Sequence, residues 1–424
     1  MASLPDPASG GTIFHAAVLF IGITTITALP GCGDSGGQAT GPAATDSPAT
    51  APSTPTLSVA RTYSYYFVGN PEAPVGLAKK PATASFVLMG GGADVDSAFR
   101  WMIARAGVRP GTGGRFVILR ASGTDAYDPY VYYSDAASGI AGPVANEWVG
   151  GASLGLSAVE TLVIPNIAAA NDPEVARIVE RADAVFIAGG DQSDYIKYWK
   201  GTELDRALNR LMQNHIPIGG TSAGLAVLGQ FDYSALFDSI SAVEALQNPF
   251  DPNLTLDPDP LKPRGGFLAP PELASMIFDS HLDERDRMGR LIAFVARTVA
   301  PDSRGFGCPG GILDAASDSP TSARGIGMDV ETALLVQGAV AGGTVTAKRV
   351  TNAFNTTTES AVYFVRPFVA PSLCAAGRPL TIRSVEVRKL ADSDTVFDLS
   401  QWSGVPVLRF LDVDNGVLAP PAWR

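Results

Sequence analysis

The residues most capable of chemistry lie in the segment Gly-Gly-Thr-Ser-Ala-Gly at positions 219–224, between the apolar runs Ile216–Ile218 and Leu225–Leu228. Where a strand meets a helix, Gly-x-Ser-x-Gly forms a tight turn, because its small flanking residues permit a bend that exposes the serine hydroxyl in a cleft. This pattern predicts that Ser222 is a nucleophile. The alternative interpretation is a glycine-rich turn in which the serine is incidental.

A serine nucleophile needs a base to accept its proton, and the chain has three histidines, His15, His215 and His281. His15 lies in a segment that has the pattern of a cleaved signal. His215 precedes Ser222 by seven positions along an extended strand, which at ~3.3 Å per residue places it about 20 Å away. His281 follows an apolar run and precedes a helical pattern, so it should lie where the carboxyl ends of strands form a crevice. We therefore predict that His281 is the general base; the alternative is a surface histidine near a helix start.

A carboxylate that orients the imidazole is expected between the serine and the histidine in the chain. Spacing alone does not choose among the acidic residues of this interval. They are Asp232, Asp238, Glu244 and several aspartates from Asp251 onward.

Short apolar runs alternate with helical patterns from about residue 58, which predicts strand-helix-strand units around a parallel sheet covered on both faces. After about residue 325 the sequence becomes strand-rich. We therefore expect an α/β fold with a doubly wound, mostly parallel sheet and a C-terminal β-rich region. The predicted core strands are Phe86–Met89, Phe116–Leu119, Thr161–Ile164, Ala184–Ile187 and Ile216–Ile218.

The N-terminal 60 residues have a different composition. Ala16–Ala28 is a 13-residue apolar run, shorter than the roughly 20 residues that a membrane-spanning helix needs. The segment that follows, Leu-Pro-Gly-Cys at 29–32, resembles the lipobox of bacterial lipoproteins, so residues 1–31 are predicted to be a signal peptide and Cys32 a lipidation site. A buried N-terminal helix is the alternative. Residues 32–60 are rich in Gly, Ala, Thr, Ser and Pro and are predicted to form a flexible linker. These features favour export, as a cell-surface or periplasmic lipoprotein or as a secreted protein.

Charge and cysteine content limit the partners. The formal charge of −11 makes a nucleic-acid partner unexpected, because phosphate binding needs clustered Lys and Arg. Contact with a membrane is expected only through a lipid anchor. Cys308 and Cys374 could form a disulfide in an oxidising compartment or remain as two free thiols. The chain lacks Cys-x-x-Cys pairs and His-rich clusters, so no metal site is predicted.

Four segments together resemble the cyanophycinases and the related aspartyl dipeptidases, over roughly residues 84–340. The resemblance implies a glutamine-amidotransferase-like (flavodoxin-like) α/β fold, a homodimer, a Ser-His-Glu triad and no cofactor. A catalytic domain is accordingly expected at 61–330, followed by the β-rich region at 331–424. The segments are Gly-Gly-Thr-Ser-Ala-Gly at 219–224, Gly-Gly-Asp-Gln at 189–192, Asp-Ser-His at 279–281 and Arg-Asp-Arg-Met-Gly-Arg-Leu at 285–291.

The same resemblance implies roles for further residues. In the family, a Glu after a Ser-rich stretch is the triad acid, which points here to Glu244, with Asp238 as second choice. Backbone N–H groups of Gly190 and Ala223 are expected to form an oxyanion hole. A charged surface helix face is the alternative for the arginine-rich segment, because Asp283, Glu284 and Asp286 interleave with its arginines. The residues implied to line the substrate pocket are Gln192, Arg285, Arg287 and Arg290.

The function implied by the resemblance is that of a serine exopeptidase. It would hydrolyse cyanophycin, a poly-aspartate that carries Arg on each side-chain carboxyl, to β-aspartyl-arginine through an acyl-enzyme. The alternatives are an isoaspartyl or aspartyl dipeptidase acting on other β-linked peptides, and a non-catalytic surface binding protein. An α/β-hydrolase esterase is disfavoured, because the sequence shows neither a helical cap nor an upstream His-Gly oxyanion loop.

Overall fold

The computed structural model describes residues 61–75, 81–134, 148–259, 265–313, 320–352 and 359–424. The predicted signal peptide and linker, with Cys32, lie outside these residues. The strands are β1 Ser64–Gly69, β2 Ser85–Met89, β3 Arg115–Arg120, β4 Ala158–Val163, β5 Ala184–Ile187, β6 Ile218–Thr221, β7 Asp232–Tyr233, β8 Leu256–Asp257, β9 Met276–Asp279, β10 Arg324–Met328, β11 Thr332–Gln337, β12 Thr346–Thr351, β13 Val362–Pro367, β14 Ile382–Leu390, β15 Val396–Asp398, β16 Val407–Asp414 and β17 Val417–Ala419.

Several helices begin at a residue whose side chain caps them. The side chain of Asp172 accepts a hydrogen bond from the N–H of Glu174, and Pro173 occupies the first turn. The helices are α1 Asp96–Arg105, α2 Tyr127–Tyr132, α3 Gly151–Leu154, α4 Ile167–Ala170, α5 Pro173–Glu180, α6 Gln192–Tyr198, α7 Glu203–Gln213, α8 Ala223–Ala226, α9 Ala242–Gln247 and α10 Met288–Thr298, with short 3-10 turns at Pro271–Leu273 and Pro320–Ser322.

The larger sheet has nine strands in the order β1-β4-β3-β5-β6-β2-β11-β12-β15. Its five central strands, from β4 to β2, are parallel, and the four others pair antiparallel at the two edges. The mixed α/β class is therefore as predicted. The order differs from the 2-1-3-4-5 order of a flavodoxin-like sheet, because β2, the first parallel strand, lies beside β6, the last.

Both faces of the parallel strands are buried, which explains why the strand sequences are apolar throughout rather than alternating. On one face, Val87 and Phe116 pack against α1 through Phe99. On the other face, Phe86 and Val117 belong to a second core that includes residues of α5, α6 and α7. The sheet is thus covered on both sides.

The second sheet has six strands in the order β17-β16-β14-β13-β10-β9, and only its β9–β10 pair is parallel. Helix α10 packs against it through Leu291 and Phe294. The described part of residues 331–424 contains strands and no helix, and these strands are shared between the two sheets. The strand-rich segment therefore adds strands to both sheets instead of forming a separate sheet of its own.

A disulfide joins Cys308 to Cys374, which decides between the two states that the sequence left open. The bond ties the loop after α10 to the segment that precedes β14. Among the described residues, no helix has the length and apolar character needed to cross a membrane.

Candidate active site

Ser222 lies on the sharp bend between β6 and α8. Its backbone has φ 52° and ψ −112°, a conformation that non-glycine residues seldom adopt and that is often found at functional sites. Its N–H donates to the carbonyl of Met89 at the end of β2, at 3.1 Å. The flanking glycines are needed for the bend: a Cβ on Gly220 would lie 2.4 Å from the carbonyl oxygen of Gly224, and one on Gly224 would lie 2.0 Å from that of Ile187.

The structure brings the two predicted catalytic side chains together. The hydroxyl Oγ of Ser222 lies 2.9 Å from Nε2 of His281. The N–H of His281 donates to the carbonyl of Gly90 at 2.8 Å, which ties the histidine to the glycine loop after β2. The imidazole also lies so close to Gly91 that a Cβ there would be 2.3 Å from Nε2. Because β2 and β6 are neighbours, their carboxyl ends support the base and the nucleophile from one side.

The carboxylate beside the imidazole is Glu284. Its Oε2 lies 2.8 Å from Nδ1 of His281, and its side chain is 55% exposed. The hydrogen bond with His281 lowers the pKa of Glu284, so this carboxylate is charged at neutral pH. A carboxylate on Nδ1 selects the tautomer that leaves Nε2 free to accept a proton from the serine.

The structure does not bring Glu244 to the imidazole, which corrects the predicted triad. Glu244 caps α9: its carboxylate accepts from the N–H and the hydroxyl of Ser241, and its own N–H donates to Ser241 Oγ. The Ser-rich stretch that pointed to Glu244 is therefore part of a capping box.

Asp238, the second choice for the acid, accepts a hydrogen bond from the N–H of Ser239. It lines the same cavity as Ser222.

Burial is the main cause that lowers the pKa of His281, and the neighbouring charges of Arg285 and Arg287 lower it further. The hydrogen bond with Glu284 acts in the opposite direction. The net result is a pKa below the usual value for histidine, so the imidazole is neutral at pH 7 and can act as a base.

A cavity of about 340 Å³ opens beside Ser222. It brings together the predicted oxyanion and substrate-binding residues on one surface. These lining residues are Gly190, Gln192, Ala223, Arg285, Arg287 and Arg290.

The loop after β5 approaches the nucleophile closely. A Cβ on Gly189 would lie 3.5 Å from Cβ of Ser222, and one on Gly190 would lie 2.9 Å from the hydroxyl of Tyr195. A side chain on Gly190 would thus press on the buried Tyr195, and Gly190 itself lines the cavity. Ala223 is the first residue of α8 and follows the serine directly. Gly190 and Ala223 therefore both line the cavity next to Ser222, where the oxyanion hole was predicted.

The three arginines have different environments. Arg290 is buried and its guanidinium donates to both carboxylate oxygens of Asp279, at 2.6 and 2.7 Å. Arg287 donates to the carbonyl of Ser280 at 2.8 Å, and burial lowers its pKa to about 10, so it stays charged at neutral pH. Arg285 is 53% exposed and lies 3.7 Å from Glu284. Arg290 is thus held within the protein, and Arg287 also lies 3.8 Å from Asp279. Among the described residues, the contacts of Arg285 and Arg287 leave guanidinium N–H groups for a ligand.

Gln192 begins α6 and its amide donates to the carbonyl of Tyr233, at 3.4 Å. Within the described ranges, no group of three or more His, Cys, Asp or Glu side chains is placed to hold a metal ion.

Comparison with known proteins gives one family match. Residues 153–247 match the model described as Peptidase family S51, a segment that includes Ser222 and ends before His281. No curated protein matches the chain significantly.

Among the solved structures that are similar to this chain, two share 14% identity with it. One is a peptidase from an acI-B1 Actinobacterium, with 76% of this chain and 99% of that chain covered and a TM-score of 0.42. The other is a Listeria monocytogenes EGD-e protein named for peptidase E, with 63% of this chain and 100% of that chain covered and a TM-score of 0.33.

Proposed function

We propose that this protein is a serine-type peptidase that hydrolyses β-aspartyl peptides, with cyanophycin as its substrate. One observation carries the proposal: Oγ of Ser222 lies 2.9 Å from Nε2 of His281, and Glu284 lies 2.8 Å from the other ring nitrogen. This chain of contacts is the arrangement by which a neutral imidazole activates a hydroxyl. The family S51 match over the segment that carries Ser222 supports the assignment to peptidases.

The contacts support a reaction in two steps, acylation and deacylation. His281 accepts the proton of Ser222 as Oγ attacks the carbonyl carbon of the scissile bond, and Glu284 stabilises the charged imidazole. The N–H groups of Gly190 and Ala223 bind the oxyanion. The imidazole then protonates the leaving amine, which gives an acyl-enzyme. Water, deprotonated by the same histidine, attacks the ester and releases the acid and the free serine.

The charge of the cavity supports the choice of substrate. Each branch of cyanophycin is an arginine joined through its α-amino group, so it presents a free carboxylate as well as a guanidinium. Arg285 and Arg287 are suited to bind that carboxylate through charge-assisted hydrogen bonds. The enzyme would cleave the backbone bond between aspartates and release β-aspartyl-arginine. Other β-linked peptides that present a carboxylate, the substrates of isoaspartyl and aspartyl dipeptidases, fit the same positions.

Two experiments test the proposal in sequence. A serine-directed phosphonylating reagent should label the purified wild-type protein at Ser222 and should leave Ser222→Ala unlabelled. Insoluble cyanophycin should then release soluble β-aspartyl-arginine with the wild type and not with the variant. No labelling would favour a non-catalytic surface binding protein. If Ser222 is labelled but no β-aspartyl-arginine is released, and another isopeptide is cleaved, the assignment as a peptidase would stand and cyanophycin would be the wrong substrate.

We also propose that the protein is an exported, lipid-anchored homodimer. The lipobox-like segment that ends at Cys32 supports the anchor, and the Cys308–Cys374 disulfide fits an oxidising compartment. Metabolic labelling with a fatty-acid analogue should mark the wild type and not Cys32→Ala. Light scattering of the protein without its first 60 residues should give twice the mass of one chain.

A further inference from the structure

Phe237 is a large apolar side chain that lies 76% exposed at the rim of the cavity that contains Ser222. An exposed aromatic ring at the mouth of a polar cavity is a feature of ligand-binding surfaces, since aromatic side chains line most small-molecule sites. The catalytic steps described above give this ring no role.

The backbone on both sides of Phe237 is held in place. Thr255 bonds the segment three times: its carbonyl accepts from the N–H of Ser234 at 2.9 Å, and its hydroxyl contacts the hydroxyl of Ser234 at 3.0 Å and the N–H of Leu236 at 2.8 Å. On the other side, the hydroxyl of Tyr233 donates to the carbonyl of Asp238 at 3.2 Å. The ring is therefore presented from a fixed position, which lowers the entropy cost of using it to bind a ligand.

The residue after the ring adds a negative charge to the same wall. Asp238 is exposed and lines the cavity next to Phe237. A ring face attracts a cation, and a carboxylate forms charge-assisted hydrogen bonds with a guanidinium. The cavity thus carries an aromatic-acidic wall at 237–238 as well as the guanidinium groups of Arg285 and Arg287.

We infer that Phe237 and Asp238 form a subsite for a cationic side chain of the substrate, so that the enzyme selects β-aspartyl units whose second residue is basic. This inference rests on the proposed function. The arginyl branch of cyanophycin carries a carboxylate and a guanidinium on one residue. The carboxylate binds Arg285 and Arg287, while the guanidinium stacks on the ring of Phe237 and bonds Asp238.

The test compares two synthetic aspartate trimers, one with arginine and one with alanine on each side-chain carboxyl. Both present the branch carboxylate, and only the first presents a cationic side chain on the branch. Phe237→Ala should raise KM for the arginine-branched trimer about 3- to 30-fold, the range expected for losing a cation–ring contact, and should leave kcat unchanged. Phe237→Tyr should retain the wild-type KM. Asp238→Asn should also raise KM for the arginine-branched trimer alone.

Val243→Ala is the matched control, because Val243 is 68% exposed and lies outside the cavity lining. The Val243→Ala variant should have the wild-type KM for both trimers. Equal KM of wild type and Phe237→Ala on the arginine-branched trimer would overturn the subsite while the peptidase assignment stands. An equal rise of KM on both trimers would also overturn it. If the wild type cleaves neither trimer, the proposed function itself fails.

Discussion

The indole Nε1 of Trp423 donates a hydrogen bond to a carboxylate oxygen of Asp286, at 2.6 Å. Trp423 is buried and its ring meets that of Tyr363 edge to face, with centroids 5.1 Å apart. Asp286 lies in the segment between His281 and α10, with φ 46°, and this segment also carries Glu284. The C-terminal segment therefore holds the loop that carries the base and the carboxylate bonded to it.

Trp423→Phe removes this donor while it keeps most of the buried ring. We expect kcat to fall about tenfold, because small displacements of reacting groups cost up to ~10²-fold in rate. Steady-state kinetics on the cleaved substrate measure the effect. Trp402→Phe is the control, since the buried Nε1 of Trp402 has no hydrogen-bond partner among the described residues. Wild-type kcat in Trp423→Phe would show that the contact does not position the loop.

Glu284→Gln tests the carboxylate on the imidazole and has a predicted signature in the pH profile. Activity requires neutral His281, so kcat/KM rises with pH through the pKa of His281, which lies below the usual 6.5. The hydrogen bond to Glu284 raises that pKa. Its loss should move the acid limb to lower pH while kcat falls roughly 10²-fold.

Glu244→Gln is the matched control for this change, since both are exposed Glu-to-Gln substitutions. It should weaken the cap of α9 and lower the melting temperature slightly, with kcat and the acid limb unchanged. A loss of kcat in Glu244→Gln together with normal turnover in Glu284→Gln would reverse the assignment of the triad acid.

Gly91→Ala should abolish turnover by displacing the imidazole. The added Cβ would lie 2.3 Å from Nε2 of His281, at a residue with φ +97°. Gly111→Ala imposes a similar backbone strain, with φ +89°, but meets nothing within 4 Å. If the melting temperatures of the two variants fall by similar amounts and only Gly91→Ala loses activity, the contact between the added Cβ and the imidazole of His281 is the cause. Comparable activity in both would refute the packing of this glycine against the base.

The disulfide is expected to stabilise the fold without a role in the chemistry. Cys308 and Cys374 are 66 positions apart and lie outside the cavity lining. The double variant Cys308→Ala/Cys374→Ala should lose about 2–4 kcal/mol of unfolding free energy, because the unfolded chain regains the freedom of the closed loop. Denaturation in guanidinium measures this. A reductant should lower the free energy of unfolding of the wild type and should leave that of the variant unchanged. An unchanged free energy of unfolding in the reduced wild type would contradict the prediction.

The sequence pointed to Ser222 and His281, which the structure brings into contact, because both belong to strong local patterns at strand ends. The strand before Ser222 illustrates the limit of that approach. Apolar residues placed it at 216–218, whereas β6 runs from Ile218 to Thr221. Its glycines pair with β2 and β5, and a Cβ on Gly219 would lie 2.9 Å from Sδ of Met102. Close packing against α1 requires glycine at position 219, and a search for apolar residues does not identify such a strand.

The carboxylate was misplaced for a different reason. The expected chain order directed the search to the interval before His281, while Glu284 follows it by three positions. In the sequence, Glu284 belongs to a segment in which acidic residues and arginines alternate, as on an ordinary charged surface. The structure shows that its side chain is half exposed. The chain turns at His281, which has φ 51°, and the carboxylate of Glu284 lies at Nδ1 of the same residue. Local sequence patterns also did not predict that the C-terminal strands are divided between two sheets, because strand pairing depends on residues far apart in the chain.

The antiparallel pairing of β2 with β11 joins Met89 to Ala333, so one neighbour of the strand that supports the base is synthesised long after the nucleophile. Contacts between such distant segments form slowly during folding, because closing the long intervening loop costs entropy before the contact contributes any stability. The support that β11 gives to β2 is therefore added only after the segments that carry Ser222 and His281 have been synthesised.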